Sequence, residues 1–270
     1  MQKPGSEECP VCGGDDWKPT VNVGAAIIER CALCDIGRTS PKPDGSDQDY
    51  GRADGAELRR ESWRLWRQFA RAQLDMLDRF HPDIPEFRRL VDIGSSVGIL
   101  VSEAKMRGWR AVGFEPDEHA CYLTRNRGSV VHSFFGPMSV RSGSVHAVVM
   151  SHVLEHVNDP VGLLASVKDA LAHNGHLLVV CPNSSGWIAR IQGSRWYGHA
   201  VEQHAWHFNQ TTLARLMERA GFEIVLVDAN RVMHYRSPVL PWLTQPILSM
   251  VLWIASRMGL GDEVAVVGRR

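Results

Sequence analysis

Neither sign of charge is in excess in this chain: 30 Lys and Arg stand against 30 Asp and Glu, for a formal net charge of zero. No broad cationic surface is then available to neutralise a phosphate backbone, which argues against nucleic acid as a partner. The opening MQKPGSEECP lacks the charged-then-apolar pattern of a secretory signal, and four of the six cysteines are paired locally rather than spread as a disulfide framework. Both absences lead to the expectation of a cytoplasmic protein. An apolar run of the roughly twenty residues that a membrane span needs is also missing. The best candidate, PVLPWLTQPILSMVLWIASRMGL at 238–260, is interrupted by Pro238, Pro241 and Pro246. It reads either as a surface packed on the domain or a second subunit, or as a peripheral contact at the inner face of a membrane that meets a lipid-linked substrate. Finally, no GxGxxG stands at the glycine turn of 94–98, so a nicotinamide dehydrogenase fails on spacing.

What is present divides the chain in three. Residues 1–45 carry Cys9-Pro-Val-Cys12 and Cys31-Ala-Leu-Cys34, two CxxC knuckles with 18 residues between them. Two such turns close a tetrahedron of thiolates and leave no position for substrate, so Cys9, Cys12, Cys31 and Cys34 are expected to hold a structural Zn2+. A redox pair or unlinked core cysteines are the competing readings. So short a segment has few large apolar side chains, and metal binding is expected to fold it as a small unit with its own core. Residues 46–85 form a linker and an arginine-rich helix. Leu58, Trp66, Phe69, Met76 and Phe80 recur near helical spacing in Glu57 to Phe80, while Arg59, Arg60, Arg64, Arg67 and Arg71 occupy much of the rest, read as a solvated face or an anion-binding one.

Residues 86–270 alternate strands and helices: Arg89 to Gly94, a helix from Val97, Arg110 to Glu115, Val130 to Phe135, Val145 to His152, a helix from Pro160, and His176 to Pro182. Alternation of this kind predicts an α/β fold with a parallel sheet, whose ligand sits beyond the carboxyl ends of the strands. VDIGSSVG at 91–98 places Gly94 and Gly98 in the first strand-to-helix turn, with Asp92 two residues before the first glycine. Glu115, ending the second strand, is placed to accept the hydroxyl protons of a ribose. An acid beside a glycine turn that lacks the pyrophosphate spacing suits a cationic, phosphate-free adenosine ligand: S-adenosyl-L-methionine.

With VDIGSSVG, then GFEPD, HAVVMSHVLEHVNDP, LAHNGHLLVVCPN and HAWHFNQTTLARLMERAGFEI in this order, residues 88 to 270 resemble a class I S-adenosylmethionine-dependent methyltransferase of the small-molecule type. The resemblance implies a Rossmann-like seven-stranded sheet whose last strand, Asp262 to Arg270, is antiparallel and follows Glu223 to Ala229. It implies that Asp92, Gly94, Ser95 and Gly98 line the methionine part, Glu115 the ribose and Phe134 the adenine edge, with Ser151 and His152 as the floor beneath the sulfonium. Together with the cysteine module, WYGHAVEQHAWHFNQTTL also resembles the deoxysugar C-methyltransferases, and zinc-bearing methyltransferases near polysaccharide biosynthesis are the nearer likeness. The acceptor implied is a small molecule, a sugar or glycan-related hydroxyl or carbon.

An alcohol or carbon acceptor needs a base, and eight of the twelve histidines lie between His146 and His207. His204 is the expected base, with Glu202 orienting its imidazole and Tyr197 beside it; most of the others are expected to be structural. His156 reads as a helix-start hydrogen bonder. From another class, the alternative is a catalytically idle fold recruited to a partner through its zinc ribbon.

Overall fold

The computed structural model describes residues 8–43, 56, 59, 61–81, 88–124, 129–231, 250 and 260–270. The apolar segment 238–260 therefore lies outside the described residues except at Met250 and Leu260, as does most of the linker after Pro41.

Three short strands open the chain: β1 (Trp17–Val23), β2 (Ala26–Cys31) and β3 (Gly37–Ser40). After α1 (Trp63–Asp78), the alternating part runs β4 (Arg89–Ile93), α2 (Ile99–Met106), β5 (Arg110–Glu115), α3 (Glu118–Leu123), β6 (Val130–His132), β7 (Val145–Ser151), α4 (Pro160–Ala170) and β8 (Leu171–Pro182). Next come α5 (Trp187–Gln192), two short 3-10 turns, β9 (Trp206–His207), α6 (Gln210–Arg219), β10 (Glu223–Arg231) and β11 (Glu263–Arg269). Seven strands form one mixed sheet in the order β10-β11-β8-β7-β4-β5-β6, with β11 antiparallel to both its neighbours. This is the seven-stranded sheet with an antiparallel last strand expected from the sequence.

Strands buried on both faces read as continuous apolar runs because each face supplies its own core. In β7, Val148 and Met150 join one buried cluster, with Leu164 and Val167 of α4 and Leu213 and Met217 of α6. Ala147 and Val149 point the other way, to Leu74 and Leu77 of α1 and Val101 of α2. Helix starts follow local chemistry: Asp159 accepts from Gly162 N at 2.9 Å before α4, with Pro160 at its first position. Asn209 and Thr212 form a reciprocal capping box at α6, with both bonds 2.9 Å. Two strands differ in extent from expectation. β6 stops at His132, after which Gly136 N bonds Ser139 Oγ and turns the chain away, and β8 begins at Leu171, earlier than His176.

The arginine face is solvated in part, with Arg64 and Arg71 exposed, and in part committed to an acid of the domain. Arg67 and Arg71 both pair with Glu103 of α2, whose residue is 3 % exposed, Arg71 Nε lying 2.7 Å from it. Those two charges hold the Glu103 carboxyl below its usual range against the opposing effect of burial.

The separate core expected for the cysteine segment is not what forms. β3 pairs antiparallel with β9, Gly37 opposite His207 and Arg38 opposite Trp206, so the ribbon sheet takes its fourth strand from the main domain. A Cβ at Gly37 would lie 2.9 Å from His207 Cβ, which is why the pairing needs glycine there. Cys9, Val11, Cys31, Cys34 and Ile36 belong to the same buried cluster as Trp206, Phe208 and Leu213. Arg219, at the end of α6, donates to the carbonyls of Cys9 and Pro10, both at 3.1 Å. The physical reason is size: a ribbon this small buries more apolar surface against the sheet domain than it can within itself.

Candidate active site

Between β4 and β7 the strand order reverses, and the crevice at their carboxyl ends is where an open α/β sheet takes its ligand. The loop from Gly94 to Gly98 rims it. Gly94 (φ 71°) donates to the Phe114 carbonyl at 2.8 Å, and a Cβ on it would fall 2.4 Å from Val153 Cγ2. Gly98 (φ 68°) caps α2 in the left-handed region, so the helix starts at Ile99, two residues later than its sequence suggested. Ser95 lies beneath this turn, 6 % exposed, with its hydroxyl unpartnered.

Two buried carboxyls face this crevice. Glu115 accepts from Ser96 N at 2.6 Å on one oxygen and from Asp117 N at 3.0 Å on the other, which fixes its plane and leaves a lone pair on each oxygen for a diol. Burial, and next the charge of Asp117, push its carboxyl up in spite of the two N–H donors. Asp92, 4 % exposed, has no hydrogen-bond or ion-pair partner among the described residues, and burial together with the charge of Glu115 raises it well above the carboxylate range. Asp92 is left without a cation of its own. The ammonium and sulfonium of S-adenosylmethionine supply positive charge, and its ribose supplies the diol that Glu115 is oriented to meet, so the residues present fit this group. Phe134, 59 % exposed, follows β6 at the same edge, while Phe135 packs inward against Phe114 with centroids 5.3 Å apart.

Two residues that the sequence reading gave no place in this site complete this side. Gln73 of α1 is buried and donates to Ser151 Oγ at 2.8 Å, holding the residue that ends β7. Arg59 donates to Ser96 Oγ at 3.0 Å, and desolvation lowers its guanidinium while Glu115 counters. Neither role was legible, because only the folded chain brings Gln73 to Ser151 and Arg59 to Ser96.

Beyond Ser151 the chain turns through His152 (φ 56°) into the segment Val153–His156. His152 lies between two buried acids, its Nε2 2.9 Å from Glu263 and its Nδ1 3.3 Å from Glu155. Burial disfavours its charge, yet the two carboxylates prevail and lift it to about 10, while Glu155 is held at about 2. His152 is thus a fixed imidazolium at neutral pH, unsuited to remove a proton.

His204 has the opposite character. Its Nδ1 donates to the Gly198 carbonyl at 2.8 Å, which leaves Nε2 as a lone pair, and burial drops it to about 4, with Glu155 opposing. The carboxylate near it is Glu155 and not the expected Glu202, which is exposed: a ligand oxygen of Glu155 lies within 4.8 Å of the rings of His156 and His204. Gly198 orients the imidazole in place of Glu202. Tyr197, 41 % exposed, has its hydroxyl pushed upward by burial and then by Asp262 and Glu263, so it lies toward the His152 side. His204 is anchored by the ribbon, since Thr39 Oγ1 donates to its carbonyl at 2.6 Å and accepts from His207 Nε2 at 3.0 Å. His156, expected at a helix start, donates its Nδ1 to the Gln203 carbonyl at 3.2 Å instead.

At the ribbon, Cys9 Sγ lies 3.5 Å from Cys34 Sγ, as does Cys12 Sγ from Cys31 Sγ, and all four sulfurs lie within 4.8 Å of one another. Thiolates at about 2.3 Å from one tetrahedral ion stand roughly 3.8 Å apart, so the cluster fits a zinc site. Among the described residues no helix is long and apolar enough to cross a membrane.

Solved structures share this fold. The chain is similar to an S-adenosylmethionine-dependent methyltransferase from Archaeoglobus fulgidus, at 18 % identity and TM-score 0.54, over 79 % of this chain and 98 % of that one. A methyltransferase from Thermotoga maritima is similar at 21 % identity and TM-score 0.54, over 79 % and 97 %. A chain from the complex of the Haloferax volcanii Trm112 methyltransferase activator with its methyltransferase reaches TM-score 0.60 at 15 % identity, over 83 % and 96 %. The fold is that of the class I S-adenosylmethionine-dependent methyltransferases. The chain belongs to the family described as Methyltransferase domain, which matches residues 63–227, and is an enzyme of that kind. No curated relative matches it.

Proposed function

We propose that this enzyme methylates a hydroxyl of a small sugar or glycan-related acceptor, and that His204 receives the hydroxyl proton. The observation that carries the reading is the state of His204: neutral, with Nδ1 committed to Gly198 and Nε2 open beside a buried carboxylate. When bound, S-adenosylmethionine supplies an electrophilic methyl whose bond to sulfur breaks as the acceptor oxygen attacks. Asp92 and Glu115 hold the amino group and the ribose, and Glu155 stabilises the imidazolium formed at His204. An amine acceptor would need no such base. Asp92 and Glu115 select the donor, whereas nothing in them selects the acceptor, so the acceptor class rests on the base and on the likeness of the 196–213 stretch to sugar methyltransferases. Cys9, Cys12, Cys31 and Cys34 carry a structural zinc ion in this reading. Incubation with S-adenosylmethionine and a panel of sugar, phenol and amine acceptors, read by mass spectrometry, tests it: the expected product carries one added methyl on a sugar oxygen. Transfer to amines alone would overturn the hydroxyl assignment.

A further inference from the structure

Apart from the cysteines, one other group of three or more His, Cys, Asp or Glu side chains among the described residues converges closely enough to hold a metal ion: Glu155, His156 and His204. We infer that these three side chains bind a divalent first-row transition ion, of the zinc and cobalt class, at a site distinct from the cysteine ribbon.

Each ligand atom is prepared for such an ion. His156 gives Nδ1–H to the Gln203 carbonyl at 3.2 Å and His204 gives Nδ1–H to the Gly198 carbonyl at 2.8 Å. A backbone carbonyl on Nδ1 fixes the tautomer of each ring with its proton on Nδ1, the state in which metal-bound histidines ligate through the other nitrogen. The third ligand is independent evidence. Glu155 is 1 % exposed and neither of its carboxylate oxygens has a hydrogen-bond partner; the nearest cationic group, His152 Nδ1, stands 3.3 Å away. Buried carboxylate oxygens are ordinarily satisfied, whereas the His152 imidazolium reaches only one Glu155 oxygen and at 3.3 Å, which leaves the other without a donor. The three ligand atoms lie within 4.8 Å of one another. Ligands at about 2.0–2.2 Å from a shared tetrahedral ion stand roughly 3.3–3.6 Å apart, so closing on it takes shifts of up to about 1 Å per ligand. Two imidazoles and one carboxylate select zinc, cobalt, nickel, manganese or iron over calcium and magnesium, which take oxygen cages.

The inference rests on the reading that His204 serves the acceptor, and it adds a regulation to it. A lone pair that ligates an ion cannot take a proton. The bound ion therefore inhibits turnover, and the enzyme works with this site empty and the ribbon filled.

Titration of the full chain with Co2+ tests the site. The ribbon gives intense thiolate-to-cobalt absorption in the near ultraviolet; the inferred site adds a second equivalent with only weak visible bands. Glu155→Gln and His156→Ala are each expected to weaken the second equivalent more than about 100-fold while keeping the thiolate band, which reports that the variant is folded. His156→Gln serves as a milder replacement should the alanine variant lose that band. A single equivalent in the parent chain, or a second one that survives all three substitutions, overturns the inference. The turnover arm separates it from the base reading. Inhibition that follows occupancy of the second equivalent supports both. Activation by the second equivalent upholds the site and sinks the assignment of His204 as base.

Discussion

The two halves of the active site are built on opposite electrostatic terms. At the glycine loop, Asp92 and Glu115 are buried carboxyls raised first by desolvation, then by the charge of Glu115 at Asp92 and of Asp117 at Glu115, with backbone N–H groups orienting Glu115 and no ion-pair partner for Asp92 among the described residues. Around His204 the excess is of neutral imidazoles, lowered by burial, that share a single ionised carboxylate. The first half waits for positive charge and recognises its ligand by that lack. The second keeps its bases uncharged by excluding water. A methyltransferase needs both, since the donor is a cation and the acceptor must lose a proton.

The sharpest way to break this division is to change one half and measure the other. His204→Ala is expected to lower turnover about 10²- to 10⁴-fold while the affinity for S-adenosylmethionine stays within a few-fold, because a base acts in the transition state. Stopped assays with the native acceptor and calorimetry with the cofactor read the two quantities; near-normal turnover would remove the role. Glu115→Ala is the converse, with loss of a charge-assisted diol contact of about 2–3 kcal/mol and cofactor binding weaker by about 30- to 100-fold. With cofactor at saturation its turnover is expected to stay near that of the parent, and unchanged affinity would refute the ribose contact.

A smaller effect is expected from a residue outside both halves. Thr39→Val removes the hydroxyl that holds the His204 carbonyl and His207. Turnover is expected to fall about tenfold, as a misplaced base predicts, with cofactor affinity unaltered. Cys31→Ser should act in the same direction and in addition lower the melting temperature of the chain in one cooperative transition, since ribbon and sheet share a core. Two separate transitions in calorimetry would show that the cores are independent after all.

The smallest effect concerns stability in acid, where His81 and His176 add to the lowered His204 and His207 of the second half. His81 is lowered to about 4, by burial first and then by the charge of His176, and His176 is lowered as well. In the unfolded chain these groups titrate near 6.5, so between the two values the unfolded state binds more protons. Their contribution is intact above about pH 6.5, is lost as pH falls toward 4, and changes no further below. Thermal melts are expected to drop by roughly 2–5 °C between pH 7 and pH 5. His81→Gln should flatten that slope, and an equal slope in the variant would place the proton uptake elsewhere.

How far each half could be read from sequence follows from the spacing of its parts. Asp92, Gly94, Gly98 and Glu115 lie on one strand, one turn and the end of the next strand, and the four cysteines on two tight turns, so short-range pattern carries them. The sheet is legible for the same reason, because apolar runs and turn residues repeat along it. The second half joins Thr39, Glu155, Gly198 and His204, which only the folded chain brings together. Glu202 looked like the partner of His204 through proximity in sequence alone, while the backbone of the turn exposes it. Gln73 and Arg59 share this property: each is ordinary in sequence and acquires a task only in the folded chain, Gln73 against Ser151 and Arg59 against the loop of 94–98.

The pairing of Gly37 with His207 has a consequence for synthesis. As the chain leaves the ribosome, the cysteine knuckles can gather their ion early, yet the fourth strand of their sheet is made more than 160 residues later. At typical elongation rates of about 5–20 residues per second, the edge of β3 waits roughly ten to thirty seconds without its neighbour. An open strand edge invites pairing with another chain, and β3 limits that hazard by being only four residues long, with Arg38 among them.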